Sequence, residues 1–177
     1  MQGSTYIDFD KANSKGLKLI RSSENASFGL LIIVGINLGL RISDLLKLTY
    51  KHLRSDELEI IEQKTKKRRK LIINDNIKNA LKYFEEYNDE FYAFRSQKNT
   101  VYSIQHVNRL MKKHFKGSNI SSHSLRKTFG RRVWNNNNQS EKALMYLSEL
   151  FGHHSISTTR KYLGIRQEEL NNIYINL

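Results

Sequence analysis

The chain opens polar: residues 1–23 mix charged side chains with Gly3 and Gly16, show little apolar periodicity, and predict a lead-in with one short helical piece. From Phe28 to Leu38 the sequence turns apolar on every side, which predicts a helix buried all round, the spine of the core. Gly39 suits its end, because glycine accepts the left-handed conformation that closes many helices. Ser43 is placed to cap a second helix carrying Leu45, Leu46 and Leu48, with Asp44 near its positive end. Residues 58–63 and 70–73 are β-rich runs joined by the basic stretch 64–69, a hairpin with a cationic tip.

Further along, Asn74, Asp75 and Asn76 can cap a helix whose Ile77, Leu81 and Phe84 recur at helical spacing. Residues 91–94 read as a short strand or turn. Ser103 opens an amphipathic helix through Val107, Leu110, Met111 and Phe115 that ends near Gly117. Over 122–134 an inward stripe of Leu125, Phe129 and Val133 predicts another helix, followed by a polar loop at 135–138. Ser140 caps the next, with Leu144, Leu147 and Leu150 inward and Gly152 at its end, and Ser157 offers a fresh N-cap beyond it. Residues 166–176 predict a terminal helix with Leu170 and Ile173 on one face. The sum is an α+β fold, mostly helical, with a small antiparallel sheet.

At 177 residues this is one domain's worth of chain. A formal net charge of +13 and a pI near 9.9 exceed what solubility needs and imply a polyanionic partner, with nucleic acid ahead of a membrane surface. No stretch approaches the roughly 18 apolar residues of a membrane span, and Met1-Gln-Gly-Ser begins no signal peptide, so an intracellular, cytoplasmic protein is expected. The lack of cysteine excludes disulfides, thiolate chemistry and Cys-ligated zinc.

The candidate chemistry gathers in the last third. His123 and Arg126 are three apart and share the first-turn face of their helix, where free backbone N–H groups favour phosphate. Tyr162 follows His153 by nine residues, close enough for a loop and a short helix to bring phenol and imidazole together. Two imidazoles, a guanidinium and a phenol in a basic protein form a phosphate-handling inventory. Lys127, Arg131, Arg132 and Arg160 add charge for a nucleic-acid backbone, and Lys66, Lys67 and Arg68 put more on the hairpin. A bland reading stands beside each: Arg41 can simply answer carbonyls at a helix C-terminus, and the 64–69 run can be a solvated surface. His153, His154 and His123 lack the carboxylate pair or cysteine of a metal site, so no metal is expected. A Ser or Thr nucleophile lacks a matching acid and oxyanion motif.

Taken in order, Gly39-Leu-Arg41-Ile-Ser-Asp44, His123-x-x-Arg126, Gly152-His153 and Tyr162 resemble the catalytic domain of tyrosine recombinases, the phage-integrase family, over about residues 27–162. The resemblance implies a site-specific DNA recombinase or integrase that breaks and rejoins double-stranded DNA through a 3′-phosphotyrosine at Tyr162. No metal, ATP or other cofactor takes part. It makes Arg41 and Arg126 the phosphate clamp, His153 a donor to the phosphate, and His123 either base or donor. Lys64 becomes the proton source for the leaving 5′ oxygen, with Lys66 or Lys67 as alternative registers, and Asp44 a supporting residue. Clustered cations are expected to lower the pKa of Tyr162.

The same resemblance implies a hairpin reaching into the minor groove and a tail, 165–177, that docks onto a neighbouring protomer in a tetrameric synapse. It places the protein on a bacterial nucleoid, of bacterial or phage origin. Full-length members carry an additional N-terminal core-binding domain, for which this chain has no room, so a catalytic fragment or a short recombinase is expected over 1–177. Two rivals stay open: a type IB topoisomerase-like enzyme, and a regulator that keeps the fold and binds DNA without cutting.

Overall fold

In a computed structural model, residues 3–117 and 119–176 are described; Met1 and Gln2, where the reading of no signal peptide falls, lie outside them, as does Leu177 of the tail. The fold is built on helix α2 (Ala26–Leu38), in which every residue from Phe28 onward is buried, as an all-round apolar sequence requires. Helix α1 (Phe9–Arg21) lies against it through Ala12, Gly16, Leu19 and Ile20, and Asp8 caps it by accepting from the Lys11 N–H. This exceeds the short helical piece expected of the lead-in. The helices meet backbone to backbone at two glycines, and a Cβ on Gly29 would lie 2.6 Å from the Gly16 carbonyl oxygen. Glycine and alanine contacts leave no mark in a hydrophobic pattern.

Gly39 ends α2 in the left-handed conformation, φ 60°. Helix α3 (Ile42–Leu45) is then a single turn with Arg41 at its N-cap position, so Ser43 sits inside the helix rather than capping it. Helix α4 (Tyr50–Arg54) leads into the hairpin, β1 (Glu57–Ile61) antiparallel to β2 (Arg68–Ile72), with Glu57 opposite Ile72 and Ile61 opposite Arg68. Residues 62–67 form its turn, which places Arg68 and Arg69 on β2 rather than at the tip. Asn74 caps α5 (Asp75–Leu81), and a turn of 3-10 helix at Lys82–Phe84 carries Phe84 into the core.

Residues 91–94 make one bridge, Tyr92 with Thr49, and bury Ala93 and Phe94. Helix α6 (Ile104–His114) is capped by Ser103, and α7 (Ser122–Asn136) by Ser121, which exchanges hydrogen bonds with Ser124. Ser140 caps α8 (Glu141–Phe151), closed by Gly152 at φ 64°. Helix α9 (Ile156–Leu163) is capped by Ser155, two residues before the expected Ser157, and α10 (Ile165–Ile175) follows Gly164.

The core divides in two. The larger part surrounds α2 and reaches Leu125 at the start of α7; the smaller joins Trp134, Ala143, Leu144, Leu147, Phe151, Leu163 and Ile165. Helix α7 contributes to both and so fixes α8 and α9 relative to α2. No helix among the described residues is long and apolar enough to cross a membrane.

Candidate active site

The end of α8 organises the site. Its last residue, Phe151, presents a carbonyl oxygen that accepts from Arg41 Nη2 at 2.9 Å and from Arg126 Nη2 at 3.2 Å. Arg126 also donates through Nη1 to the Gly39 carbonyl at 2.7 Å, and its guanidinium lies 4.4 Å from the centre of the Phe151 ring. Arg41 donates through Nη1 to Glu62 Oε2 at 2.8 Å. Two guanidiniums from distant segments therefore converge on one helix end. Answering carbonyls, the bland use of Arg41, is part of how it is held, although the carbonyl is that of α8 and not of α2. Burial lowers the pKa of Arg126 to about 10, which leaves it charged at neutral pH.

Tyr162, on the last turn of α9, completes the cluster. Its ring meets Phe151 and His153 edge-on, at centroid distances of 5.5 and 5.1 Å, and Lys127 Nζ stands 4.9 Å from its centre. The hydroxyl is buried beside the Arg126 guanidinium, which approaches it without reaching ordinary hydrogen-bond geometry. Burial raises the phenol's pKa, while Arg126 and Arg41 pull it back down; burial prevails. The expectation that clustered cations lower this pKa is thus corrected: they act in that direction, but burial raises it by more.

His153 is fixed through Nδ1, 2.9 Å from Thr159 Oγ1, and through its backbone N–H, which donates to the Ser148 carbonyl. Burial lowers its pKa, with Arg126, Arg41 and His154 acting in the same direction. His123 stands exposed on the first turn of α7; partial desolvation lowers its pKa, helped by Arg126, Lys127 and Lys64. Both imidazoles are therefore neutral at pH 7.

The hairpin turn leans on this cluster: the Thr65 methyl lies 3.5 Å from where a Cβ on Gly152 would stand, and Arg41 Nη2 3.8 Å from it. Asp44 is buried and accepts from the Gln63 N–H at 2.8 Å, so it steadies the residue next to Lys64. Lys64 is exposed, near enough to His123 to bear on its pKa; Lys66, Lys67 and Arg68 are exposed beside it.

Other cations have partners within the chain. Arg131 is buried, pairs with Glu168 at 2.8 Å and lies over the rings of Tyr6 and Trp134. Arg132 stacks 3.6 Å from the Phe9 ring centre and donates to Asn37 Oδ1, and Arg160 pairs with Glu169. The pair of Arg160 with Glu169 stays partly exposed, and Lys127 is set against the Tyr162 ring.

Missing from the sequence reading is Glu62, only 2% exposed, whose carboxylate accepts from Arg41, Thr65 and Arg69. Burial alone would raise its pKa, but these three donors hold it at about 2. Its one signal in the sequence is its place as the last acidic residue before a run of cations.

The phage integrase family matches residues 15–169. The probable integrase/recombinase YoeC of Bacillus subtilis is 33% identical over 151 residues, 81% of either chain. Tyrosine recombinase XerC of Caldanaerobacter subterraneus subsp. tengcongensis is 28% identical over 151 residues, which span 79% of this chain but 42% of that protein. The crystal structure of a lambda integrase dimer bound to a COC′ core site aligns with a TM-score of 0.68 over 92% of this chain and 49% of that one; at 16% identity, this likeness speaks for the fold. The chain belongs to the phage integrase family, as a tyrosine-recombinase catalytic domain.

Proposed function

We propose that this recombinase domain cuts and rejoins DNA at specific sites by attack of the Tyr162 phenol on a backbone phosphorus, forming a 3′-phosphotyrosine. The observation that carries this reading is the place of the Tyr162 hydroxyl: buried, and flanked by the Arg126 and Arg41 guanidiniums rather than by apolar side chains alone. Each guanidinium has five N–H donors, of which two are committed among the described residues. The rest serve the non-bridging oxygens as charge builds in the transition state.

A phosphate entering between the arginines brings the phosphorus to the phenol. The hydroxyl holds its proton at neutral pH, because burial raises its pKa above the ordinary 10, so loss of that proton accompanies attack. Neutral His123, at the mouth, takes the phenol's proton as the phenolic oxygen–phosphorus bond forms. The 2.9 Å hydrogen bond between His153 Nδ1 and Thr159 Oγ1 fixes the ring, and in the tautomer in which Nδ1 accepts, the hydrogen on Nε2 donates to a phosphate oxygen. The phosphorus–O5′ bond breaks, and Lys64 protonates the leaving oxygen. Attack by a new 5′-hydroxyl reverses the step, and the bond energy kept in the phosphotyrosine makes ATP unnecessary.

Exposed Lys64, Lys66, Lys67 and Arg68 make the hairpin the first contact with DNA. Protomers would associate on DNA, in a tetrameric synapse, through the apolar face that α10 exposes at Leu170, Ile173 and Tyr174. The bacterial nucleoid would be the place of action. Incubation with nicked suicide DNA in EDTA tests this reading: a protein–DNA adduct that resists denaturation is expected, and none from Tyr162→Phe. A need for a divalent metal would overturn the mechanism, and relaxation of supercoiled DNA without exchange between two sites would mark a topoisomerase instead.

A further inference from the structure

Glu62 is a buried charge beside the site, yet the chemistry above gives it no part. Its side chain, 3% exposed, connects two pieces of the site that arise from different elements. On one side Oε2 accepts from Arg41 Nη1 at 2.8 Å. On the other, Oε2 accepts from Thr65 Oγ1 at 2.6 Å and Oε1 from Arg69 Nη1 at 2.9 Å. The backbone repeats the tie, since Glu62 N–H donates to the Lys67 carbonyl at 3.0 Å and Lys66 N–H to the Glu62 carbonyl at 2.9 Å. Lys64 stands between these anchors, with Gln63 fixed by Asp44 before it and Thr65 fixed by Glu62 after it.

A surface hairpin of two strands is a weak platform by itself. An amine at its tip that must meet a leaving oxygen within hydrogen-bond reach needs the turn held to a fraction of an ångström. A buried carboxylate with three donors supplies such a hold, and it is geometrically specific, because a carboxamide in its place has one acceptor oxygen and a nitrogen that faces other donors.

We propose that Glu62 is a positioning residue that sets the phosphate clamp, at Arg41, and the turn that delivers Lys64 as one rigid unit. This rests on the assignment of Lys64 as the acid for the leaving 5′ oxygen. Glu62 touches neither phosphate nor leaving group; it acts through Arg41 and through the Lys64 backbone.

The test uses two DNA substrates that differ at the scissile bond. In the ordinary one the phosphorus–oxygen bond breaks and the 5′ oxygen needs a proton. In the other, sulfur replaces that oxygen, the phosphorus–sulfur bond breaks, and the sulfur leaves as a thiolate with no proton required. The readout is the sulfur effect, the ratio of single-turnover cleavage rates on the two, with DNA affinity measured alongside. Lys64→Ala should cut the oxygen rate by about 100-fold or more and show a large sulfur effect. Glu62→Gln should also slow oxygen cleavage, with a sulfur effect at least about tenfold above that of the wild type and affinity for DNA undiminished. Thr65→Val, which keeps side-chain shape and leaves the Arg41–Glu62 pair in place, should show a smaller loss with a raised sulfur effect; it decides the matter should Glu62→Gln fail to fold.

A wild-type sulfur effect in Glu62→Gln, or in Thr65→Val where that variant decides, beside a large one in Lys64→Ala would overturn the positioning role and leave the Lys64 assignment intact. A wild-type sulfur effect in Lys64→Ala itself would remove the Lys64 assignment, and the role of Glu62 with it.

Discussion

A guanidinium at this site has two duties, and the fit of Arg126 shows why lysine would fail at both. Its fork spans the Gly39 and Phe151 carbonyls at the ends of α2 and α8 while keeping donors for a phosphate. An ammonium is a point charge that cannot bridge both and present a planar edge. Arg126→Lys should therefore lower single-turnover cleavage by about 100-fold or more. A thermal melt should show a loss of about 1–3 kcal/mol as well, because a buried carbonyl is left without its donor. A cleavage rate near that of the wild type would contradict the clamp.

Glu62 gives a second residue-scale prediction. Its folded pKa of about 2 lies below the ordinary 4.5, so its contribution to stability is complete above 4.5 and is lost as the pH falls toward 2. Melting temperatures of the wild type should drop across that window, and Glu62→Gln should show a shallower drop there. Arg41, Arg126 and Tyr162 were legible as candidates because the types and order of residues carry the chemistry. Glu62 was not, since the partner of a buried carboxylate is a matter of three-dimensional approach. Net charge, conversely, does not say which cations a fold pairs within the chain, as it pairs Arg131 with Glu168 and Arg160 with Glu169.

At the scale of elements, the crossing of α1 and α2 depends on close backbone approach. Gly29→Ala puts a methyl 2.6 Å from the Gly16 carbonyl and should destabilise the fold by about 1–3 kcal/mol in urea unfolding. Gly164→Ala, at φ 78° with open space around it, carries only backbone strain and should cost about 1 kcal/mol. A smaller loss in Gly29→Ala than in Gly164→Ala would contradict the account of α1 packing. Strongly apolar or well-capped elements were legible: α2 from its unbroken apolar run, α5 from Asn74, α6 from Ser103, α8 from Ser140. Helix α1 was underestimated because its contact face is built on Ala12 and Gly16. The turn after β1 was placed late because alternation extends across Arg68 and Arg69, which pair with β1 despite their charge.

For the whole molecule, a charge of +13 predicts DNA affinity that falls steeply with salt, but the charges are unequal. Neutralising Lys66, Lys67 and Arg68 together should reduce the slope of log affinity against log salt by about 1 for each DNA phosphate that no longer meets a cation. Arg131→Gln should leave that slope unchanged and lower stability, since its charge is spent on Glu168 and on the Tyr6 and Trp134 rings. A slope that changed with Arg131 and not with the hairpin would place the DNA on another face.

The most direct test of the central claim identifies the atom that joins protein to DNA. A trapped adduct, formed in EDTA on a pool of nicked duplexes, is digested with protease and nuclease, and the modified peptide is sequenced by mass spectrometry. The account predicts a nucleotide joined through its 3′-phosphate to the Tyr162 oxygen. Attachment to any other residue, or through the 5′ end of the strand, would contradict it.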